Sequence, residues 1–519
     1  MGLTPRTSGK SVQILGYCDK DEDTIVRLLQ SKQYATVQEL EGEFTIVYMS
    51  PEITVIITSM VGAIQYFYYF NGRKFAHGSS IIDIVTEENL DWKWDWQSIG
   101  DLCELENLTE NRTLHSEIRK VPAGTILIHS NGLTMRTKNL LDSIRVSDAN
   151  PVDAVDILNQ STKRWAGNNA ILSLSGGFDS RVILSSMLKQ DIYPTVVTLG
   201  GKENSDMQVA EMITKEFCLE HHRVRLSLED LLESGETIAS LTNGSKPACH
   251  WHTYLYPKKA GLNKEQNFFV GTLGEFARSY YFDKGFLSLL NDSISNFSQR
   301  KFWTLKLSRH RTFLNEETSF LSSELNREIG RDGMNYRAAR NATLSHGDFL
   351  AGGTRYYLEQ RIPHFYANGI SMYNATCSWR SPFHSRQWIE TIWNLCDQWK
   401  LGSNWHRLAI ERNFPRLLQF PEEKGFDRKK MLRRAPLFYW LPFMQRQKYK
   451  TYDMSAEWYT KATIREFIMD NNIHLEEFFN KDLCETILQE HLLTKNRTRA
   501  ISFMLTLLYF KIALSRGKK

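Results

Sequence analysis

The chain has 519 residues, of which 42% are hydrophobic and 24% charged, and its formal net charge is +5. A chain of this length holds two or more domains, and the composition is that of a globular protein rather than a disordered or fibrous one. The net charge is small and the basic runs are interrupted, which excludes a surface dedicated to nucleic acid. We therefore expect a multidomain globular protein that binds no nucleic acid.

The seven cysteines, at positions 18, 103, 218, 249, 377, 396 and 484, are widely spread and form no Cys-x-x-Cys pair. This pattern favours a reducing compartment and no zinc site. No apolar signal core follows Arg6 and Lys10, and the longest apolar stretch, residues 501–514, is shorter than a membrane span and contains Lys511. We expect a cytoplasmic protein that is not associated with a membrane.

Short β-rich runs separated by turns dominate the first part of the chain. They cover residues 44–49, 54–58, 64–70 and 75–78, with an Asn71-Gly72 turn before the last run. Runs of this kind predict an antiparallel β domain, which we place at residues 1–145.

Strands and helices alternate in the next part, which opens the second predicted domain, residues 146–519. A helix over 152–165 precedes a short apolar run at 171, and strands at 195–199 and 268–271 enclose a helix over 207–217. This alternation predicts a parallel α/β sheet. From about residue 287 onward the periodicity is mainly helical, so we expect a helical C-terminal part.

The most informative segment is residues 171–181, which read ILSLSGGFDSR. The apolar run predicts a buried strand and the residues after Asp179 predict a helix, so the turn between them points free backbone N–H groups at one place. Glycines allow close approach, hydroxyls donate hydrogen bonds, and a helix N-terminus attracts anions. The candidate phosphate ligands are Ser173, Ser175, Gly176, Gly177 and Ser180.

Asp179 is an unusual neighbour for phosphates unless it faces a divalent cation. Mg²⁺ is commonly held by one or two carboxylates together with substrate phosphates. The turn therefore indicates a Mg–nucleotide site, with Asp179 as cofactor-binding and metal-binding residue. The segment lacks the endings of a Walker loop and of a dinucleotide fingerprint. The alternative is a glycine turn that ends an ordinary βα unit.

This segment resembles the PP-loop of ATP pyrophosphatases, which cleave ATP to AMP and pyrophosphate while adenylating a substrate. An antiparallel β domain followed by a PP-loop resembles the asparagine synthetase family, which includes β-lactam synthetase and the lasso peptide cyclases. The run Leu40-Glu41-Gly42-Glu43-Phe44 is similar to a strand start of the family's class II glutamine amidotransferase domain. The resemblance covers roughly residues 13–430 and implies an Ntn-like β-rich domain followed by an α/β PP-loop synthetase domain.

The family's amidotransferase domain uses an N-terminal cysteine as nucleophile, with the α-amino group as its base. Here residue 2 is Gly, and the first cysteine is Cys18, inside a β-like run. The resemblance therefore implies a degenerate domain without glutaminase activity. The alternative, Cys18 as an internal nucleophile, would have no adjoining amine base.

In the synthetase domain, the resemblance assigns adenosine contacts to Leu199 and Gly200, in the run Thr198-Leu199-Gly200. The family's second phosphate loop is matched loosely by residues 270–275, which assigns phosphate contacts to Val270 and Gly271. Glu275 occupies the position of the family's Mg-binding aspartate and would hold the ion together with Asp179. Arg278 would clamp pyrophosphate; the alternative is a surface helix arginine.

Two later segments resemble signatures of the family only in part. Arg380-Ser381-Pro382-Phe383 resembles part of a signature whose glutamate is replaced here by Ser378, which puts identical acceptor chemistry in doubt. Lys424 resembles the lysine that stabilises the adenylation transition state; the alternative is an exposed lysine in a charged turn.

The resemblance implies an ATP-dependent amide-bond-forming ligase that requires ATP and Mg²⁺, acts on a small-molecule or peptide carboxylate, and releases AMP and pyrophosphate. The amine would be free ammonia, ammonia from a partner, or an amine of the substrate, which includes cyclisation of a precursor peptide or a β-lactam-type precursor. The alternatives are a non-catalytic nucleotide-binding member and a PP-loop tRNA-modifying enzyme, although the latter usually has cysteine pairs or a basic face.

Overall fold

The computed structural model describes residues 11–142, 146, 148–278, 299–309, 311–347, 349–400, 403–421 and 454–517. The fold is mixed α/β, as the sequence predicted. Antiparallel sheets occupy the N-terminal region, a parallel sheet follows, and the C-terminal part is mostly helical. Residues 143–145 and 147, next to the predicted domain boundary, lie outside the described part.

The N-terminal region contains two antiparallel sheets. Their strands are β1 (Ser11–Cys18), β2 (Gly42–Met49), β3 (Thr54–Thr58), β4 (Phe67–Phe70), β5 (Phe75–Gly78), β6 (Ile118–Lys120), β7 (Thr125–His129) and β8 (Leu133–Thr137). The larger sheet has the order β1-β2-β3-β7-β8 and the smaller sheet has the order β5-β4-β6. The helices are α1 (Glu22–Gln30), α2 (Tyr34–Gln38), α3 (Ile81–Glu87) and α4 (Trp96–Leu105).

Both faces of the central strands β2 and β3 of the larger sheet are buried. Successive side chains of a strand point to opposite faces. Accordingly, Phe44 and Ile46 of β2 pack with Ile25 of α1 on one face, whereas Val47 packs with Tyr66, beside the smaller sheet, on the other. Burial on both faces explains why the β2 run is almost continuously apolar rather than alternating.

The parallel sheet has the order β11-β10-β9-β12-β13. Its strands are β9 (Ala170–Ser173), β10 (Thr195–Leu199), β11 (His221–Val224), β12 (Asn267–Phe269) and β13 (Ser378–Arg380). The helices of this region are α5 (Pro151–Ala166), α6 (Phe178–Lys189), α7 (Ser205–Glu216), α8 (Leu228–Leu241) and α9 (His252–Lys259).

The strand order places a topological switch point beside β9. After β9 the chain adds β10 and β11 on one side, then crosses to add β12 and β13 on the other. In open parallel sheets, ligands bind outside the carboxyl ends of the strands at such a point. The crevice between the ends of β9 and β12 is therefore the first place to look for a site.

Most helices around this sheet begin at a side-chain cap. Asn150, Asn204 and Ser227 accept hydrogen bonds from backbone N–H groups at the starts of α5, α7 and α8. Such caps satisfy N–H groups that have no partner within the helix. Helix α6 differs, because Gly177 precedes it and has no side chain to cap it.

The C-terminal part packs helices around the sheet. In the described residues they span Gln299–Arg309, Ser323–Ile329, Arg331–Leu344, Phe349–Tyr356, Ala367–Thr376, Arg386–Trp393, Asp397–Lys400, Asn404–Asn413, Met454–Trp458, Ala462–Asp470, Lys481–Glu490 and Thr498–Gly517, with a π-helical segment at Tyr357–Tyr366. The predicted aromatic face at 388–393 is buried core: Trp388 and Ile392 are fully inaccessible.

The last helix, Thr498–Gly517, is the one described helix that is long and apolar enough to cross a membrane, and 67% of its most apolar window is buried inside the protein. The Tyr509 ring lies against Gly235 of α8, where a Cβ atom would come within 2.4 Å of the ring, and the Phe510 ring lies against Gly244 in the same way. Burial of this kind is that of a core helix.

Buried polar contacts join the N-terminal region to the rest of the chain. Glu43 accepts a hydrogen bond from Nδ1 of His384 at 2.9 Å, and both side chains are fully buried. The Tyr17 hydroxyl donates to the Ser381 carbonyl at 3.2 Å. Asp101 on α4 accepts hydrogen bonds of 2.6 Å from Arg337 and Arg340. The N-terminal region is therefore fixed against both the helix Arg331–Leu344 and the segment that follows β13.

Candidate active site

A cavity of about 290 Å³ lies at the carboxyl ends of β9 and β12, at the switch point. We call residues 174–177 the β9 loop and residues 270–278 the β12 loop. One wall of the cavity comes from these loops and their flanks: Ser173, Ser175, Asp179, Ser180, Val270, Gly271, Thr272 and Glu275. The opposite wall is Lys246, His250, His252, Thr253, Phe365, Tyr366, Gly369 and Tyr373.

The β9 loop is held by its own hydroxyl groups. The Ser175 N–H donates to Ser180 Oγ at 3.1 Å, and the Gly177 N–H donates to Ser175 Oγ at 3.2 Å. The Gly176 N–H donates to Asp206 at 2.8 Å. The prediction that the loop presents free N–H groups is therefore wrong for these three residues, because nearby side chains accept their hydrogen bonds.

The Arg181 side chain holds the β9 loop in place through hydrogen bonds to backbone carbonyl groups. Its buried guanidinium donates to the carbonyl oxygens of Gly176, at 2.6 Å, and Phe420, at 3.1 Å, and also to that of Pro421. A guanidinium has five donors in a fixed plane, so it can hold several carbonyl groups at once. Arg181 thereby ties the loop to the last described residues before position 422.

Two glycines bring the β12 loop against Asp179. A Cβ atom on Gly271 would lie 2.8 Å from Asp179 Cβ, and one on Gly274 would lie 2.6 Å from Asp179 Oδ1. Real Cβ atoms do not approach so closely, so the contact depends on glycine at both positions. The Ser381 hydroxyl supports the same loop by donating to the Thr272 carbonyl at 2.8 Å.

This close approach brings two carboxylates to one guanidinium. Arg278 Nη2 lies 3.0 Å from Asp179 Oδ2 and 3.9 Å from Glu275 Oε1. His406 Nε2 lies 2.8 Å from Asp179 Oδ1. The Tyr357 and Tyr366 hydroxyls donate to Glu275 at 3.0 and 3.2 Å. Both predicted metal ligands and the predicted pyrophosphate clamp thus lie in one cluster.

The two carboxyl groups of this cluster have opposite pKa shifts. Burial would raise the pKa of Asp179, but the charge of Arg278 and the His406 hydrogen bond outweigh burial and lower it. Burial, and then the charge of Asp179, raise the pKa of Glu275. A cation placed between the two acids would favour the charged form of both.

The donor set fits a hard cation that is shared with a ligand. In the described residues, Asp179 and Glu275 belong to no group of three potential protein ligands for a metal ion. Mg²⁺ typically takes one or two carboxylates and fills its other positions with phosphate oxygens and water. Arg278 now lies close to both acids, so a bound ion would compete with its guanidinium.

Other predicted residues lie apart from the cavity wall. Leu199 and Gly200 are at the carboxyl end of the neighbouring strand β10, and the Gly200 N–H donates to the Val224 carbonyl at 2.9 Å. Ser378, at the position of the family glutamate, begins β13 and donates to the Lys264 carbonyl. Lys424 lies outside the described residues. Gly176 and Gly177 are not among the residues that line the cavity.

Sequence reasoning missed Lys246 and His406. Lys246 is buried in the opposite wall, where its Nζ donates to the Phe365 carbonyl at 3.1 Å and lies 3.2 Å from the centre of the Phe365 ring. Burial, and then the charge of Arg361, lower the pKa of Lys246 well below its usual range. His406 comes from the distant helix Asn404–Asn413. Long-range packing brings both residues to the site, so no local sequence motif could have indicated either of them.

Among the described residues, the contacts of the Cys18 thiol are not those that activate a nucleophile. Cys18 ends β1, its thiol donates to the Lys20 carbonyl, and burial raises its pKa. Nucleophilic thiols instead have a lowered pKa beside a base or a cation.

No protein-family model matches this chain, and no curated protein matches it either.

Proposed function

We propose that the chain is an ATP-dependent carbon–nitrogen ligase of the asparagine synthase type. It would bind Mg–ATP in the 290 Å³ cavity and adenylate a substrate carboxylate, and an amine would then attack the acyl-adenylate. One observation carries the proposal: Asp179, at the start of α6 directly after the β9 loop, and Glu275, on the β12 loop, line one cavity at the switch point of a parallel sheet.

The polar groups of the wall match the needs of a triphosphate. Ser173, Ser175 and Ser180 present hydroxyl groups, and the uncapped start of α6 adds partial positive charge. Phosphate oxygens would compete for these hydroxyls with the hydrogen bonds inside the loop. Gly176, Gly177, Val270 and Gly271 would allow the backbone to lie close to the phosphates. Leu199 and Gly200 would contact the adenosine from β10.

Asp179 and Glu275 would hold Mg²⁺ between the two loops. The ion, when bound, neutralises charge on the departing pyrophosphate. Arg278, displaced from the acids by the ion, could then bind two pyrophosphate oxygens. A carboxylate oxygen of the substrate attacks the α-phosphorus, and the bond from that phosphorus to the bridging oxygen of pyrophosphate breaks. The amine then attacks the acyl carbon, loses a proton, and AMP leaves.

We place the substrate's acyl group at the wall that contains Lys246. Lys246 lies in the cavity wall, where its amino group would donate a hydrogen bond to the charge that develops on an acyl-adenylate. We retain Lys424 as a second candidate for this role. The amine would be ammonia, ammonia from a partner, or an amine of the substrate itself, which includes the cyclisation of a peptide or β-lactam-type precursor. A cytoplasmic location is part of the proposal.

One observation favours a second candidate, nucleotide binding without turnover. The N–H groups of Ser175, Gly176 and Gly177 are all engaged within the protein. A loop whose backbone N–H groups already form hydrogen bonds within the protein can still bind a nucleotide through its hydroxyl groups and a metal ion. Measurement of the reaction products separates this candidate from a ligase.

The test is pyrophosphate release from Mg–ATP by the purified full chain. The assay scans aspartate with ammonia, amino-carboxylates and short peptides, and quantifies AMP beside pyrophosphate. A ligase releases both in equal amounts and only when the right carboxylate is present, and Asp179→Ala abolishes the release. The matched control is Asp156→Ala, which removes an exposed acid of α5. Binding of ATP without release across the panel would favour the non-catalytic candidate.

A further inference from the structure

Three potential metal ligands from distant parts of the chain meet beside the cavity. Glu106 follows helix α4, whereas Cys249 and His250 lie on the turn Ala248–His250 that precedes α9. One ligand atom of each lies within 4.8 Å of the other two. We infer that these three side chains form a zinc site, independent of the Asp179–Glu275 pair and of the proposed ligase activity.

The spacing of the imidazole and the carboxylate suits an ion between them. His250 Nε2 lies 3.9 Å from Glu106 Oε2, too far for a direct hydrogen bond. This nitrogen is buried, and no described residue forms a hydrogen bond with it. A Zn–N bond and a Zn–O bond are each about 2.0–2.2 Å long. In a tetrahedral site two such bonds place the nitrogen and the oxygen about 3.3–3.5 Å apart, so binding would draw the two side chains together by about half an ångström.

The ligands are held in place by backbone contacts. Glu106 is in the left-handed conformation, with φ 60° and ψ 15°, which is disfavoured for a residue with a Cβ atom. The Cys249 N–H donates to Ser502 Oγ and the Ala248 N–H donates to Thr506 Oγ1, both at 2.9 Å. The turn is thus pinned to the core helix Thr498–Gly517, which positions the thiol and the imidazole in advance.

The second oxygen of Glu106 has its own partner. Arg499 Nε lies 3.7 Å from Glu106 Oε1, so the carboxylate can face the guanidinium with one oxygen and the metal with the other. Ligating carboxylates are commonly oriented by such outer contacts. The positive charge of Arg499 disfavours a cation here, so binding depends on the strong bonds that zinc forms with thiolate and imidazole.

The ligand chemistry selects zinc over magnesium. A thiolate and an imidazole suit Zn²⁺, whereas Mg²⁺ takes oxygen ligands. Three protein ligands leave the fourth position of zinc to water or a substrate atom. His250 lines the 290 Å³ cavity, and Glu106 lines a second cavity of about 180 Å³. The ion would therefore lie in the wall between the two cavities.

The test is zinc binding by the full chain, purified without metal, then loaded with zinc and dialysed. We expect stoichiometric zinc in the wild type and its loss in Cys249→Ser and Glu106→Gln. The matched control is Cys396→Ser, which removes an exposed thiol and should retain the zinc. A wild type that retains no zinc, or a Cys249→Ser variant that retains as much as the control, would overturn the inference.

Cobalt substitution gives a readout that needs no variant. Co²⁺ in this site should show a sulfur-to-cobalt charge-transfer band, because Cys249 would be a direct ligand. Cobalt bound without this band would overturn the site even if Cys249→Ser fails to fold. Far-ultraviolet circular dichroism of each variant distinguishes loss of the site from loss of the fold.

Discussion

Replacement of Gly274 by alanine should weaken Mg–ATP binding by separating the two loops. The added Cβ would lie 2.6 Å from Asp179 Oδ1 and 2.8 Å from both Cβ and Cγ of Asp179. Carbon atoms in normal contact are about 3.5–4.0 Å apart, so the β12 loop must retreat by roughly 1 Å. Overpacking of this kind costs about 1–3 kcal/mol. If the cost falls on the bound state, affinity drops by about 5- to 150-fold.

Isothermal titration of Mg–ATP into the wild type, Gly274→Ala and Gly369→Ala measures this effect. Gly369 lines the same cavity, but a Cβ atom there would lie 3.5 Å from Thr253 Cγ2, an ordinary contact. Gly369→Ala should therefore bind within about twofold of the wild type. The reasoning fails if Gly274→Ala keeps wild-type affinity, or if both alanine variants lose affinity to the same extent.

Further predictions concern the buried polar contacts. Asp101→Asn removes the buried negative charge that Arg337 and Arg340 share and should lower the free energy of unfolding by about 3–5 kcal/mol in urea denaturation. Burial raises the pKa of Asp101, but the two arginines outweigh it and lower the pKa. Its stabilisation is thus full above about pH 4 and is lost as the pH falls through the folded-state pKa, so Asp101→Asn should flatten the acid side of the stability profile. Glu43→Gln removes the charge beside His384 and should cost about 1–3 kcal/mol, whereas the exposed Glu52→Gln should cost almost nothing. Equal stability of either buried variant and the wild type would contradict these accounts.

Local pattern predicted three of the five described strands of the parallel sheet, β9, β10 and β12, but not β11 or β13. Thr195–Leu199 has the predicted bounds, because a short apolar run of β-branched residues suits a buried parallel strand. The helix predicted after Asp179 is buried almost all round, from Phe178 to Leu188. The reason is tertiary: α6 lies between the sheet and the helix Asn404–Asn413, so even Ser185 and Ser186 are inaccessible.

The candidate site was predictable only where one segment carries it. The strand–turn–helix pattern pointed to Asp179, whereas Glu275 was assigned only through the resemblance of residues 270–275 to the family's second phosphate loop, with Arg278 proposed just after it. The residues that contact this segment from elsewhere in the chain were not predictable, since His406, Asp206 and Lys246 lie on separate elements. The Glu106–Cys249–His250 group escaped a search for Cys-x-x-Cys spacing for the same reason, because its acid lies far from the thiol in sequence.

A crystal structure of the full chain with Mg²⁺ and a non-hydrolysable ATP analogue tests the central claim most directly. The account predicts phosphates between the β9 and β12 loops, Mg²⁺ within about 2.1 Å of oxygens of Asp179 and Glu275, and Arg278 turned from the acids toward the phosphates. An analogue bound elsewhere, with Arg278 still between Asp179 and Glu275, would contradict it.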